Sequence, residues 1–178
     1  MSKFSKEALD RLEAAKTPAA ERETVLLVDD KDANLSVMAA ILRPHFNLLE
    51  ARDGEEAYNL IASYDKREEL ACIVSDHRMP RMTGVELLEK VVPLLPQTRR
   101  IIVTGYIDLD AAIDAINKSE VSKFIIKPFE AADFLEKVQA AVAGFRDDRA
   151  LARQYAAMET ELAAAKQALA QLRGEHGA

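Results

Sequence analysis

The sequence predicts an α/β domain with a doubly wound parallel sheet, followed by a long C-terminal helix. Three observations predict it. Short apolar runs recur that are continuous rather than alternating. Amphipathic stretches of helix length lie between them. After residue 146 a heptad pattern runs to residue 173 without a glycine or proline.

Five runs read as strands: 25–28, 47–51, 71–75, 101–104 and 124–126. The first, third and fourth are continuously apolar and bounded by polar or turn residues, as strands buried on both faces are. Helices are expected at 33–42, ahead of Pro44, and at 55–64, where Ala57, Leu60, Ile61 and Tyr64 share a face. A third is expected at 85–95, closed by Pro96. A fourth is expected at 108–116, with Asp108 as N-cap and Leu109, Ala112, Ile113 and Ile116 at helical spacing. The fifth begins after Pro128 and turns Phe134, Leu135, Val138, Ala141, Val142 and Phe145 inward. Strands alternating with helices in this way build a doubly wound sheet. Functional sites in such sheets form outside the carboxyl ends of the strands.

The tail differs in kind. Leu151, Tyr155, Met158, Leu162, Ala165, Leu169 and Leu172 are spaced 4, 3, 4, 3, 4, 3, a heptad seam of about three repeats. At about 1.5 Å per residue, residues 146–173 make a rod of roughly 40 Å. A lone helix with so narrow a stripe is marginal in water, so a self-associating coiled coil, and hence a homodimer, is the expectation. The inward face of the fifth helix does not run in phase into this seam, and residues 146–150 are the expected hinge or phase shift. The organisation read from the sequence is an N-terminal arm (1–23), a globular domain (24–145), a coiled-coil helix (146–174) and a short tail (175–178). The arm holds a short helical pattern (Phe4, Leu9, Leu12) and Thr17-Pro18.

Composition narrows the function. The segments 1–23 and 146–178 each hold five basic and five acidic side chains, so the whole net charge of −6 falls on residues 24–145. An acidic domain is a poor partner for nucleic acid and suits a divalent cation. No apolar run approaches the roughly 20 residues that span a bilayer. The polar start lacks a signal peptide's apolar segment, so a cytoplasmic location is expected. The single cysteine, Cys72, lies in an apolar run and reads as a small core residue.

The strand ends carry the chemistry. Strand one ends in Asp29-Asp30, strand three in Asp76, strand four in Thr104 and strand five in Lys127-Pro128. In a parallel sheet these ends share one rim. Crowded carboxylates repel one another unless a cation lies among them. Oxygen-only ligands suit Mg²⁺, which takes one or two carboxylates together with water and phosphate oxygens. A carboxylate is also a nucleophile that forms an acyl phosphate. The cation, Lys127 and the Thr104 hydroxyl can each neutralise one phosphoryl oxygen.

These residues resemble the receiver domains of bacterial response regulators over about 24–145. The matching stretches are 28–30 (Val-Asp-Asp), 75–84 (Ser-Asp-His-Arg-Met-Pro-Arg-Met-Thr-Gly), 103–106 (Val-Thr-Gly-Tyr) and 126–129 (Ile-Lys-Pro-Phe). The resemblance implies a flavodoxin-like sheet of order 2-1-3-4-5. It implies that Asp76 accepts phosphate from a histidine kinase or phosphotransfer protein. It places Mg²⁺ on Asp29, Asp30, Asp76 and the backbone carbonyl of Arg78. Thr104 and Lys127 then assist the transfer, Thr104 and Tyr106 form the switch, and the Lys127–Pro128 peptide is cis. His77 reads as a solvent-facing side chain.

Two other readings compete. An Mg²⁺-dependent aspartyl phosphohydrolase would take its nucleophile from an Asp-x-Asp motif after strand one, which leaves Asp76 without a role. A non-switching scaffold would keep the fold and lose part of the site set. The sequence shows no DNA-binding, nucleotide-cyclising or hydrolase motif, so it reads either as a stand-alone regulator acting through protein contacts or as a piece of a longer chain, which a heptad linker suits.

Overall fold

A computed structural model of the chain describes residues 22–105 and 121–175, with side chains as far as Gln167. The element order is β1 (Thr24–Val28), α1 (Asp32–Leu42), β2 (Asn47–Ala51), α2 (Gly54–Ser63), a 3₁₀ turn (Arg67–Glu69), β3 (Leu70–Asp76), α3 (Gly84–Val91), β4 (Arg99–Gly105), β5 (Lys123–Lys127) and α4 (Ala131–Glu175). The five strands form one parallel sheet in the order β2-β1-β3-β4-β5. The expected helix at 108–116 and the residues of the N-terminal arm before Arg22 lie outside the described residues.

The continuous apolar strands are explained by burial on two faces. Along β1, Val25 and Leu27 join one core layer while Leu26 and Val28 join the other, all at 0% exposure. The first layer packs against Leu35, Met38 and Leu42 of α1 and against Phe134, Val138, Val142 and Phe145 of α4. The second packs against Ala57 and Ile61 of α2 and Leu87, Leu88 and Val91 of α3. Cys72 is fully buried in the first layer, and desolvation pushes its thiol pKa up to about 12. It is an inert core residue at neutral pH.

One expectation about the helices is corrected. The third helix ends at Val91, not at residue 95. Pro93 is the reason: it has no N–H to donate, so the helical hydrogen-bond ladder stops there although Val92 ahead of it keeps helical φ and ψ. The backbone leaves the helix through tight turns, with Leu94 N–H and Leu95 N–H both donating to the Val91 carbonyl. α4 runs as a helix from Ala131 to Glu175.

The chain divides into two compact units, Met1–Phe145 and Arg146–Ala178. In the second, Leu151, Tyr155, Met158 and Leu162 are all more than half exposed, at 51%, 61%, 64% and 55%. No described helix is long and apolar enough to cross a membrane.

Phe134 is fully buried and stacks on Phe129, with ring centroids 4.6 Å apart. Phe134→Ala removes both the burial and the stack. It is expected to destabilise the first unit by about 3–5 kcal/mol, read as a lower urea midpoint with unchanged slope.

Candidate functional site

Strand register builds the rim. Val28 pairs with Ser75, so Asp29 and Asp76 follow side by side where β1 and β3 end. Asp76 pairs with Val103, and Thr104 and Gly105 continue β4 beyond it. Gly105 pairs with Lys127, which brings the lysine to the same level on the sheet edge. From there its four-carbon stem reaches back across β4.

The cation between the two aspartates is the Lys127 ammonium. Its Nζ donates to Asp29 Oδ2 at 2.7 Å and to Asp76 Oδ1 at 2.5 Å. The Asp29 side chain is wholly buried, that of Asp76 is 12% exposed and that of Lys127 24% exposed. Burial alone would lower the Lys127 pKa, but the hydrogen bonds and charges of Asp29 and Asp76 outweigh it, and the net shift is upward from 10.5.

Other donors hold each carboxylate in place. Asp29 Oδ1 accepts from the Lys31 N–H at 3.0 Å, and the Asn34 amide donates to both Asp29 oxygens at 2.9 and 3.0 Å. Asp76 Oδ2 accepts from the Arg78 N–H at 2.8 Å. The Asp76 backbone is fixed by Gly84, where an added Cβ would run into the Asp76 carbonyl oxygen and lie 2.8 Å from Ser75 Oγ. The next helix is anchored there by a capping box: Glu86 N–H donates to Thr83 Oγ1 at 3.2 Å, and Thr83 N–H to Glu86 Oε2 at 2.8 Å. The Thr83 N–H and hydroxyl, both donating to Glu86 Oε2, hold the Glu86 carboxyl below its usual pKa.

The structure thus brings Asp29, Asp76 and Lys127 into direct contact. Asp30 is exposed beside them. The Thr104 hydroxyl is half-buried and donates to the Gly105 carbonyl at 3.1 Å. Arg78 contributes its N–H to Asp76 and leaves its side chain exposed, and His77 is half-buried. Tyr106 lies outside the described residues. The Lys127–Pro128 peptide is cis, as the resemblance implied. Among the described residues no three His, Cys, Asp or Glu side chains are gathered as a ready-made metal cage.

Asn34, Asp53, Arg81 and Gly84 were not singled out from the sequence. Gly84 and the Thr83-x-x-Glu86 capping box carried a legible signal. Asn34 did not: its role depends on the first turn of α1 facing Asp29.

The model for the response regulator receiver domain matches residues 25–139. The chain belongs to that family. Receivers are typically non-enzymatic signalling domains, and they typically bind Mg²⁺. Two relatives are transcriptional regulators. The hydrogenase transcriptional regulatory protein HoxA of Cupriavidus necator is 31% identical over 122 residues, covering 68% of this chain and 24% of HoxA. The transcriptional regulatory protein FixJ of Rhizobium meliloti is 33% identical over 118 residues, covering 66% of this chain and 56% of FixJ. The chain therefore matches about a quarter of one and just over half of the other. A CheY-like receiver domain protein from Methanospirillum hungatei superposes with a TM-score of 0.65 at 28% identity, over 71% of this chain and 98% of that one.

Two outcomes test this geometry. Gly84→Ala is expected to destabilise the domain by roughly 2–4 kcal/mol, because backbone, not a flexible side chain, blocks the new methyl. Calorimetry reads it as a fall in Tm. Lys127 has a raised folded-state pKa, so its contribution is complete below 10.5 and is lost as pH rises through the elevated value. The difference in unfolding free energy between wild type and Lys127→Met should be flat through neutral pH and should shrink only in that alkaline window.

Proposed function

We propose that this receiver is a phosphorylation switch, with Asp76 accepting a phosphoryl group from the phosphohistidine of a kinase or phosphotransfer protein. The observation that supports it best is the Lys127 ammonium held between two nearly buried carboxylates at the carboxyl rim of the sheet. A buried ion pair is weak as a source of stability, because desolvation offsets most of its attraction. A preorganised positive charge beside a carboxylate nucleophile is what phosphoryl transfer requires.

In the proposed reaction an Asp76 carboxylate oxygen attacks phosphorus, the P–N bond to the donor imidazole breaks, and the imidazole leaves with its electron pair and takes up a proton. The Arg78 N–H orients the carboxylate. Lys127 neutralises one phosphoryl oxygen. The Thr104 hydroxyl, now directed at the Gly105 carbonyl, turns about a single bond to a second oxygen. The residues fit a divalent cation: Asp29, Asp30 and Asp76 supply oxygen ligands only, and one lysine leaves them a net negative charge. Mg²⁺ bound by them and by the Arg78 carbonyl would neutralise the remaining phosphoryl charge.

The readout proposed is a change at β5, the start of α4 and the helix expected at 108–116, with Tyr106 following Thr104; residues 106–120 lie outside the described residues. The exposed seam from Leu151 to Leu162, continued in sequence by Ala165, Leu169 and Leu172, makes a homodimeric coiled coil whose pairing responds to the phosphate. HoxA and FixJ are transcriptional regulators, and the switch is proposed to act on an output domain or partner protein.

Acetyl phosphate with Mg²⁺ should label the wild-type chain, and Asp76→Asn should abolish the label in intact-mass spectrometry. Lys127→Met should slow labelling by about 100-fold or more. Light scattering with and without beryllofluoride, combined with spin labels along the seam, should show a change of mass or coil geometry. Unchanged values in both would leave only a static scaffold.

A further inference from the structure

Asp53 caps α2 with one oxygen and holds a distant arginine with the other. Its side chain is nearly buried, and Oδ1 accepts from the backbone N–H groups of Glu55 at 2.8 Å and Glu56 at 2.9 Å. Oδ2 is taken by the Arg81 guanidinium, whose Nε also lies 3.7 Å from Glu55 Oε2. Arg81 belongs to the segment between Asp76 and α3. Its φ of 67° is the left-handed conformation, which a residue with a Cβ adopts only at a steric cost. Met82, the next residue, lies so close over Gly54 that a Cβ there would be 2.8 Å from the Met82 Cβ. The segment from His77 to Thr83 is therefore clasped to the start of α2 by an ion pair and by a side chain seated on a glycine.

The same segment carries the Arg78 N–H that holds Asp76 Oδ2. It is closed on itself, with Gly84 N–H donating to the His77 carbonyl at 3.0 Å and Met82 N–H to the Pro80 carbonyl at 2.7 Å. A loop closed in this way has little slack, so a shift at Arg81 reaches Arg78. From this geometry we infer that Arg81 is a positioning residue: its pair with Asp53 sets the loop and, through the Arg78 amide, the orientation of the Asp76 carboxylate. The inference rests on the reading of Asp76 as phosphoacceptor. The Arg81 side chain is 60% exposed, so the pair adds little stability on its own account. Its partner is unusual for a surface pair, because the helix backbone already immobilises the Asp53 carboxylate, and so it fixes a direction.

Three variants of the full chain separate the possibilities. Arg81→Gly removes the ion pair while suiting the left-handed backbone. Asp53→Ser removes the pair and keeps a helix cap. Arg81→Lys retains a positive charge. Labelling by acetyl phosphate with Mg²⁺ is followed beside urea unfolding. Arg81→Gly and Asp53→Ser are expected to label about tenfold or more slowly, since small misplacements of a reacting group slow transfer steeply. Arg81→Lys should recover most of the rate, and Arg81→Gly should unfold at or above the wild-type midpoint. Wild-type rates in both pair-breaking variants would overturn the clasp while leaving Asp76 as phosphoacceptor. So would a slowing that Arg81→Lys does not relieve. No Asp76-dependent label on the wild-type chain would overturn both readings.

Discussion

The rim of this domain depends on one ammonium group placed between two carboxylates. Asp29 and Asp76 are forced together because β1 and β3 are neighbours whose registers end at the same level. Two buried negative charges at that separation would repel strongly. Lys127, arriving from the far edge of the sheet, meets both. Burial pushes its pKa down, but the hydrogen bonds and charges of Asp29 and Asp76 push it up further, so the net direction is upward. The Lys31 and Arg78 N–H groups take the carboxylate oxygens that the bridge leaves free, and the Asn34 amide donates to both oxygens of Asp29.

The packing around the rim follows from the same constraint. Gly84 is tolerated at the start of α3 because any side chain would meet the Asp76 backbone. Gly54 gives Met82 its seat at the start of α2. Gly54 stands where the N-terminus of α2 is pressed against the segment that follows Asp76, and Gly84 where that of α3 is pressed against Ser75 and Asp76 themselves. The rigidity of the site therefore comes from close backbone approach as well as from charge. The apolar layers below it, centred on Leu26, Leu27, Ile73 and Ile101, keep the strand ends level.

Much of this was legible in the sequence. The five strands fell within one or two residues of their expected bounds, because continuous apolar runs have few alternatives to burial on both faces. Asp29, Asp76 and Lys127 could be assigned to one rim from strand ends alone. Errors arose where a local signal was overlooked or a tertiary partner was needed. Pro93 stood in plain view inside the expected third helix. Asp53 and Arg81, by contrast, are 28 positions apart, and nothing local in either marks the other as its partner.

The sequence by itself determined the class of fold, the chemical identity of the rim and the heptad seam, because each is written in periodicity or in residue type at a strand end. Tertiary structure alone decided which groups touch. It set Lys127 between Asp29 and Asp76, left Asp30 exposed, directed the Thr104 hydroxyl to the Gly105 carbonyl and clasped Arg81 to Asp53. The physical reason is distance along the chain. A strand or helix is specified by neighbours a few residues away, whereas these contacts join residues brought together by sheet register and side-chain reach.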